Sequence, residues 1–452
     1  MSRRTGERTV ASSRKAVTLL TLGNLTAPIA SFVTAPLLAH GLGVDGRGEM
    51  AAATAPLLLA AAGLTLGVPE SMTYFVARGT AGRRQTLWWG LAGSLLLGVI
   101  GSVVITLLAG PLSAGDDYVR KLIIVIGLAL VPSLLATSVR GYARGLQAWN
   151  LVALDQGFAS VFRVVGTGAL FLTDTMTPLS AGVVAAVANF IGILVYVVGL
   201  SWSRTRPVGV NPPDDTRLTG WAVPRSMLGY GLGVWLGAAA GILLARLDQV
   251  LILPISTAAV LGVYAVAVSI TDVVRVFNLA VRDVVFSKQS ATTDDEALAR
   301  ASRVSTLLTA LTGVAVVALA WVVVPPLFGE EFRGATSVIA VLAIGTVLGN
   351  PGSVLAAGLS ARGRPILRSI AIVVGVVVNV ATLYVFVPPW GAVGAAVSTG
   401  VANVSTGAMV LFFAHRYFGL GPSRFLRIGA DDVRFLVRIV RDRLPGRKKV
   451  SS

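Results

Sequence analysis

Long uncharged stretches separated by short charged segments run along almost the whole chain. Cutting the sequence at its charged residues leaves eleven windows of 18 to 47 residues. A membrane-spanning helix needs about 20 apolar residues, so each window is long enough for one helix. The windows are 16–44, 50–69, 85–115, 122–139, 156–173 (interrupted by Arg163), 175–203, 226–245, 249–271, 304–329, 334–361 and 369–415. The last contains Pro388-Pro389-Trp390-Gly391, a turn that ends one helix and starts another, so the pattern predicts twelve transmembrane helices.

The windows predict helices rather than strands. A backbone in hydrocarbon must satisfy its own hydrogen bonds, and the ten-residue alternation of a membrane barrel strand is missing. The first apolar run follows five basic residues, as in a secretory signal, but it extends to Val44 and a second run follows at once. We therefore expect an all-α polytopic membrane protein whose first helix is retained.

Composition supports this class and excludes an ordinary soluble enzyme. Apolar residues make up 54% of the 452-residue chain and charged residues 13%, against about 25% charged in soluble domains. The chain has no cysteine and two histidines, His40 and His415. We therefore expect no disulfide, no metal site and no cofactor.

The basic residues are distributed unevenly between the two predicted sides. With the N-terminus inside, 32 of the 38 Lys and Arg fall on the cytoplasmic side, which predicts cytoplasmic N- and C-termini. The net charge of +17 is then an orientation signal and an attraction to anionic membrane lipids, not a nucleic-acid footprint. The basic tail, 416–452, places Phe425, Ile428 and Phe435 among arginines, which favours a helix lying in the inner interface. A solvated tail is the alternative.

Prolines and the residues next to them at predicted helix ends repeat at an offset of about 215 positions. Pro111-Leu112 with two acids after it matches Pro326-Leu327, and Pro178 with Ala181 matches Pro389 with Ala392. Six helices per half give two lobes of the same topology, the arrangement of many transporters. Chance alignment of small residues is the alternative.

The predicted parts are an N-tail (1–15), an N-lobe (16–203), a cytoplasmic linker (204–225), a C-lobe (226–415) and the C-tail (416–452).

Several segments in this order resemble one family. They are LLAHGLGVDGRGEM, RGYARGLQAWN, LARLDQVLILPISTAAVLGVYAVAVSI, PPLFGEEFRGA and PPWGAVGAAVSTGVAN. Together they resemble the lipid-linked oligosaccharide flippases, which are polysaccharide biosynthesis transporters of the multidrug/oligosaccharidyl-lipid/polysaccharide superfamily. The resemblance implies a MATE-like fold of two six-helix lobes around a positively lined cavity, in a bacterial-type cytoplasmic membrane.

The same resemblance implies a non-enzymatic function. The implied task is to move a polyprenyl-pyrophosphate oligosaccharide from the inner to the outer leaflet by alternating access, for surface polysaccharide synthesis. A polysaccharide polymerase or glycosyltransferases are the implied protein partners. Lipid II flippases of the superfamily usually have two further helices, which makes that function a weaker alternative.

Arginines are the natural partners of a pyrophosphate, because a guanidinium matches phosphate oxygens and stays charged at any depth. Arg163 is the strongest candidate: it lies near the middle of the fifth predicted helix, where an arginine costs about 2.5 to 3.5 kcal/mol. We expect it to face a cavity, and the alternatives are a pair with Asp155 or snorkelling. The other cavity cations proposed from the sequence are Arg246, Arg275 and Arg47.

Four acids are candidates for gates or ion pairs: Asp248, Asp272, Glu49 and Glu70. Arg246 and Asp248 are placed at the outer end of the seventh helix, and Asp272 is three residues from Arg275, a spacing that permits an ion pair. Each of these residues can also be a structural pair or a solvated helix end.

A drug or cation antiporter of the same fold is the nearest alternative. It would need a buried carboxylate, but the first helix has no charge from 16 to 44 and the only deep charge in the first half is Arg163. A membrane glycosyltransferase would need a large external loop with clustered acids, and the predicted external loops are short. A purely structural protein would not need an arginine in mid-membrane.

Overall fold

A computed structural model describes the backbone of residues 2–202, 218–291 and 294–443. Within these ranges the side chains are described except at positions 2–25, 28, 200–202, 236–238, 273, 275–280, 283, 287, 288, 290, 291 and 437–443. Nearly all of the described chain is helical, which confirms the predicted all-α class.

Fifteen α-helices follow one another along the described residues. They are α1 (Ser2–Gly63), α2 (Val68–Arg78), α3 (Arg83–Leu112), α4 (Asp117–Gly127), α5 (Leu130–Gly145), α6 (Trp149–Leu172), α7 (Pro178–Ala188), α8 (Ile193–Trp202), α9 (Ala222–Ile255), α10 (Ala258–Ala291), α11 (Asp295–Phe328), α12 (Ala335–Ala361), α13 (Pro365–Phe418), α14 (Ser423–Leu426) and α15 (Ala430–Arg443). A short 3₁₀ turn, Glu330–Phe332, precedes α12.

Two long helices are broken by a glycine with positive φ. In α1 the break is at Gly43 (φ 67°), and in α13 it is at Gly391 (φ 53°). Only glycine adopts this region without a steric cost. The 54 residues of α13 would measure about 80 Å if straight, far more than the ~30 Å hydrocarbon core. The break at Gly391 falls within the predicted Pro388–Gly391 turn.

Seven helical stretches of the described residues are long and apolar enough to cross a membrane, or eight if the bent α9 is included. Two of the seven, Ile29–Arg78 and Pro365–Phe418, contain the glycine breaks. A polytopic membrane protein is therefore confirmed. Twelve separate spans and cytoplasmic termini remain predictions.

The contacts divide the chain into two compact units. One consists of Met1–Ser269 with Pro325–Phe332, and the other of Ile270–Val324 with Arg333–Ser452. In the first unit, α1 is packed against α4, α6, α7 and α9, while α2 and α3 pack against α5. The division into two six-helix lobes stays a prediction, and its 204–225 linker lies mostly outside the described residues.

The second unit is built around a close crossing of α12 and α13. Gly345 faces Gly400, and Gly352 faces Gly407, so the two backbones approach without side chains between them. On the other side of α12, Asn350 donates hydrogen bonds to Ser305 (3.1 Å) and Thr306 (3.0 Å) of α11. Small residues and buried amides are the usual means of joining membrane helices, because they replace the hydrophobic effect that lipid does not provide.

The C-terminal tail is attached to the second unit by Arg303 of α11. Its guanidinium donates to the Asp432 carboxylate (2.8 Å), to the Arg424 carbonyl (2.6 Å) and to Glu296 (3.2 Å). Phe425 is 1% exposed and packs in a core with Leu298 and Phe413. Sequence analysis placed Phe425 in the interface, which is wrong, because its ring closes the core at this end. In α15, Val433 and Phe435 are exposed, as an interfacial helix requires.

Candidate functional site

Arg163, the leading sequence candidate, lies well inside α6 and contacts α1. Its Nη1 donates a hydrogen bond to Ser31 Oγ at 2.9 Å, and its side chain is half-buried. Among the side chains that the structure describes, no carboxylate lies within ion-pair distance of it. The guanidinium is therefore held in place by a neutral hydroxyl that uses one of its five N–H donors.

The alternative pairing of Arg163 with Asp155 is wrong, because Asp155 is bound elsewhere. The Asp155 carboxylate accepts two hydrogen bonds from Arg140, at 2.5 Å and 3.1 Å, and one from the Tyr196 hydroxyl at 3.0 Å. Asp155 is fully buried, and the cluster connects α5, α6 and α8. This network was missed by sequence analysis. Its signal was that Arg140 directly follows the apolar window 122–139 and Asp155 directly precedes the window 156–173, so the two charges lie at adjoining helix ends.

Arg47 and Glu49 follow the break at Gly43, where the second part of α1 begins. Arg47 Nη1 lies 3.7 Å from the Met50 sulfur, and its buried Nε has no hydrogen-bond partner in the described part of the chain. Glu49 is half-buried, and the like charges of Asp45 and Asp116 repel its carboxylate. Arg47 is thus a second cation without a described carboxylate partner. It lies sixteen residues beyond Ser31 on α1, so it does not share a cluster with Arg163.

Arg246 and Asp248 are not at a helix end, contrary to the sequence prediction. The helix α9 continues past both residues to Ile255. Asp248 is 2% exposed and accepts hydrogen bonds from the Tyr264 hydroxyl of α10 and from the backbone N–H of Gln249. This acid joins α9 to α10. Arg246 is half-buried on the same helix and makes its own polar interaction.

The remaining candidates occupy different places. Asp272 is half-buried inside α10, which runs to Ala291 and not to the predicted end at 271. The side chain of Arg275 lies outside the described residues, so the Asp272–Arg275 pair stays a prediction. Glu70 is exposed in the first turn of α2, where a negative charge is stabilised by the helix dipole. A gating function of Glu70 stays a prediction.

The described residues contain no group of three His, Asp or Glu side chains arranged to hold a metal ion. Two groups of charges stand out in the first unit. Asp155 and Asp248 are buried and accept hydrogen bonds from neighbouring side chains. Arg163 and Arg47 are cations with no described carboxylate partner.

The solved structures to which this chain is similar include MATE transporters and a flippase. An inward-facing multidrug MATE transporter superimposes with a TM-score of 0.70 at 17% identity, covering 90% of this chain and 98% of that one. The lipid II flippase MurJ, in an inward closed conformation, gives 0.71 at 12% identity, covering 95% and 94%. The MATE transporter DinF-BH, solved in complex with R6G, gives 0.61 at 14% identity, covering 92% and 97%. The predicted MATE-like fold is therefore confirmed.

Sequence comparison adds the family. A comparison with curated proteins finds no match. The family described as "Polysaccharide biosynthesis protein" matches residues 13–286, which include most of α1, all of α2 to α9 and most of α10. This range contains Arg163, Arg47 and the Asp155 cluster. The chain therefore belongs to the polysaccharide biosynthesis protein family.

Proposed function

We propose that this protein moves a polyprenyl-pyrophosphate-linked oligosaccharide from the inner to the outer leaflet of a bacterial-type cytoplasmic membrane. The movement serves surface polysaccharide synthesis and proceeds by alternating access. Family membership supports the polysaccharide pathway, and the MATE and MurJ fold supports a transporter mechanism. Anionic lipids around the basic inner surface, and a polymerase or glycosyltransferases, are the proposed partners.

The proposal rests mainly on the hydrogen-bond partner of Arg163, which is a neutral serine and not a carboxylate. A guanidinium inside a membrane helix is costly unless it meets an anion or lines a polar cavity. Here it is positioned by Ser31 and by no described carboxylate, so its remaining N–H groups are available to phosphate oxygens. A pyrophosphate is the part of a lipid-linked sugar that most needs such a partner, because its charge must leave water during the crossing.

The antiporter alternative is less well supported by the same geometry. A proton- or sodium-coupled antiporter needs a carboxylate that exchanges its cation. Asp155 is already held by Arg140 and Tyr196. Asp248 is buried and accepts a hydrogen bond from Tyr264, so it is one acid on which an antiporter mechanism could depend. The function experiment below therefore includes a drug-resistance readout.

The test measures lipid-linked sugars in cells that depend on this protein. Cells carrying Arg163→Ala should accumulate a polyprenyl-pyrophosphate oligosaccharide and lose the matching surface polymer, both measured by mass spectrometry. Loss of charge-assisted hydrogen bonds should reduce flipping by about tenfold to a hundredfold. Arg120→Ala is the matched control, because Arg120 is exposed near the start of α4 and should leave flipping unchanged.

Protein abundance in the membrane must be equal in the two variants. Unchanged lipid intermediates in depleted cells, together with increased sensitivity to cationic drugs, would transfer the assignment to the antiporter. Normal flipping by Arg163→Ala would leave the function intact but remove Arg163 from the site.

A further inference from the structure

A continuous line of contacts joins the segment 63–85 to the segment 218–235, and we call it the α2–α9 seam. The Leu218 backbone N–H donates to the Thr80 carbonyl at 2.9 Å, next to an isolated parallel bridge between Ala81 and Leu218. At the other end of the seam, the Trp235 indole donates to the Gly63 carbonyl at 2.5 Å. The seam is therefore closed along the length of α2.

Glycines let the two backbones touch in the seam. A Cβ on Gly231 would lie 2.6 Å from the Leu66 carbonyl oxygen and 3.0 Å from that of Gly67. Gly229 and Gly233, on the same helix, have no neighbour within 4 Å of an added Cβ. Close approach is therefore specific to Gly231 and is not a general property of this glycine-rich helix.

Aromatic rings continue the seam toward α3. Tyr74 stacks on Tyr230 with ring centroids 4.2 Å apart, and the Arg78 guanidinium lies 4.7 Å from the Tyr74 ring centre. Trp89 and Trp221 meet at 4.9 Å. Tyr74 packs against Phe75 of α2 and Tyr230 of α9. These rings therefore connect helices and do not form an open platform for sugars.

The seam is at the predicted cytoplasmic end of the helices. Its two segments contain Arg78, Arg83, Arg84 and Arg225, which contribute to the predicted cytoplasmic excess of positive charge. Its two sides come from opposite halves of the predicted twelve-helix arrangement. Immediately after the seam α9 bends by 60°, between the arm Ala222–Trp235 and the arm Ala239–Ile255.

We propose that the α2–α9 seam is the inner gate of the transport cycle, and that the Ala222–Trp235 arm is a strap that swings about the bend in α9. The inference rests on the proposed alternating-access function. A pyrophosphate-sugar headgroup entering from the cytoplasm must separate α9 from α2, which breaks the Tyr74–Tyr230 stack and the Gly67–Gly231 contact. Resealing the seam then excludes water and ions from the cytoplasmic side while the substrate leaves outward.

Locking the seam with a disulfide tests this gate directly. The chain has no cysteine, so Ala81→Cys with Leu218→Cys introduces the only two thiols. Bridged neighbours are about 5 Å apart, within the range that a disulfide spans. Oxidation should reduce flipping at least tenfold, measured as accumulation of the lipid-linked oligosaccharide, and a reductant should restore it.

Ser94→Cys with Ser138→Cys is the matched control. These two buried hydroxyls are 2.5 Å apart and connect α3 to α5, which belong to the same predicted lobe. Oxidation of this pair should leave flipping unchanged. Full flipping by a quantitatively oxidised seam variant would overturn the proposal.

A second measurement needs no transport assay and separates the gate from the proposed substrate. In a protein whose only thiol is Ala81→Cys, the substitution Gly231→Ala should push the helices apart and increase labelling by a membrane-impermeant maleimide from the cytoplasmic side severalfold. Gly233→Ala, which has open space, should not. Equal labelling of the two variants would contradict the gate even if lipid-linked sugars are the substrate. Selective labelling with no change in lipid-linked sugars would support the gate and refute the proposed substrate.

Discussion

Arg140 and Asp155 form a two-pronged ion pair inside the first unit, with Nε–Oδ2 and Nη2–Oδ1 distances of 2.5 Å and 3.1 Å. The acid is fully buried, and Tyr196 donates a third hydrogen bond to it. Gly192 lies against the carboxylate so closely that an added Cβ would overlap Asp155 Oδ1. The glycine in the break between α7 and α8 therefore leaves the space that the Asp155 carboxylate occupies.

Removing the charge of Asp155 should destabilise the protein. Asp155→Asn leaves the mostly buried Arg140 guanidinium without its counter-ion, and losing one partner of a buried pair costs about 3 to 5 kcal/mol. Thermal unfolding in detergent should show a clear decrease in Tm. Asp117→Asn, at an exposed position, is the control. Equal unfolding temperatures for the two variants would show that the pair contributes no net stability.

The geometry of Arg163, and not only its charge, should matter for flipping. Arg163→Lys keeps the charge but loses the planar fork, so its flipping rate should fall between those of the wild type and Arg163→Ala. Ser31→Ala removes the hydroxyl that positions the guanidinium and should reduce flipping by about tenfold, the lower end of the effect of a hydrogen bond that involves a charged group. The readout is the level of the lipid-linked oligosaccharide.

Ser160→Ala is the matched control for Ser31→Ala. Ser160 is on the same helix as Arg163, but its hydroxyl donates to the Gln156 carbonyl of its own helix. Flipping by Ser160→Ala should equal the wild type. A similar decrease for both serine variants would show that the Ser31 effect is not transmitted through Arg163.

Attachment of the C-terminal tail should depend on pH through Asp432. Burial acts to raise the pKa of Asp432, but hydrogen bonds from Arg303 and the Gly429 N–H outweigh it and hold the pKa below 3.8. A lowered native pKa means that the carboxylate stabilises the fold above pH 3.8, and that this stability is lost as the pH falls through the native value.

Asp432→Asn should therefore lower stability at pH 7 by about 1.5 to 3 kcal/mol, the value of a hydrogen bond to a charged group. The difference from the wild type should shrink at pH 3, in thermal unfolding measured at both pH values. Asp431→Asn is the neighbouring control, since the Asp431 side chain is 95% exposed and an exposed pair contributes about 0 to 1 kcal/mol. A difference that persists at pH 3 would exclude the carboxylate as its source.

The crossing of α12 and α13 should tolerate a methyl group on one side only. A Cβ on Gly352 would overlap the Gly407 backbone, whereas a Cβ on Gly407 would meet its nearest atom at 3.5 Å, an ordinary contact. Gly352→Ala should therefore cost about 1 to 3 kcal/mol, as overpacking does, and Gly407→Ala should be close to neutral. The measurement is the unfolding temperature of each variant relative to the wild type. Equal decreases for the two variants would contradict this packing.

Much of the architecture was predictable because it depends on local properties of the chain. Apolar length decides whether a segment can cross a bilayer, and Pro388-Pro389 with Gly391 interrupts a helix wherever it is placed. The order of the segments also indicated the family and the MATE-like fold. Helix ends near charges were predicted less well. Sequence analysis ended helices at Arg246 and Asp272, but both residues lie inside helices in the structure.

The partners of the charges were decided only by the tertiary structure. Asp155 lies eight residues from Arg163 in the sequence but is bound by Arg140 and Tyr196, and Asp248 is bound by Tyr264. A buried charge binds whichever donor the packing of other helices brings to it, and sequence spacing does not encode that packing. The sequence alone therefore determined that this is a helical membrane protein of the polysaccharide biosynthesis type with an arginine in mid-helix. The partners of Asp155, Asp248 and Arg163, and the contact between α2 and α9, depend on segments far apart in the chain, so only the tertiary structure decided them.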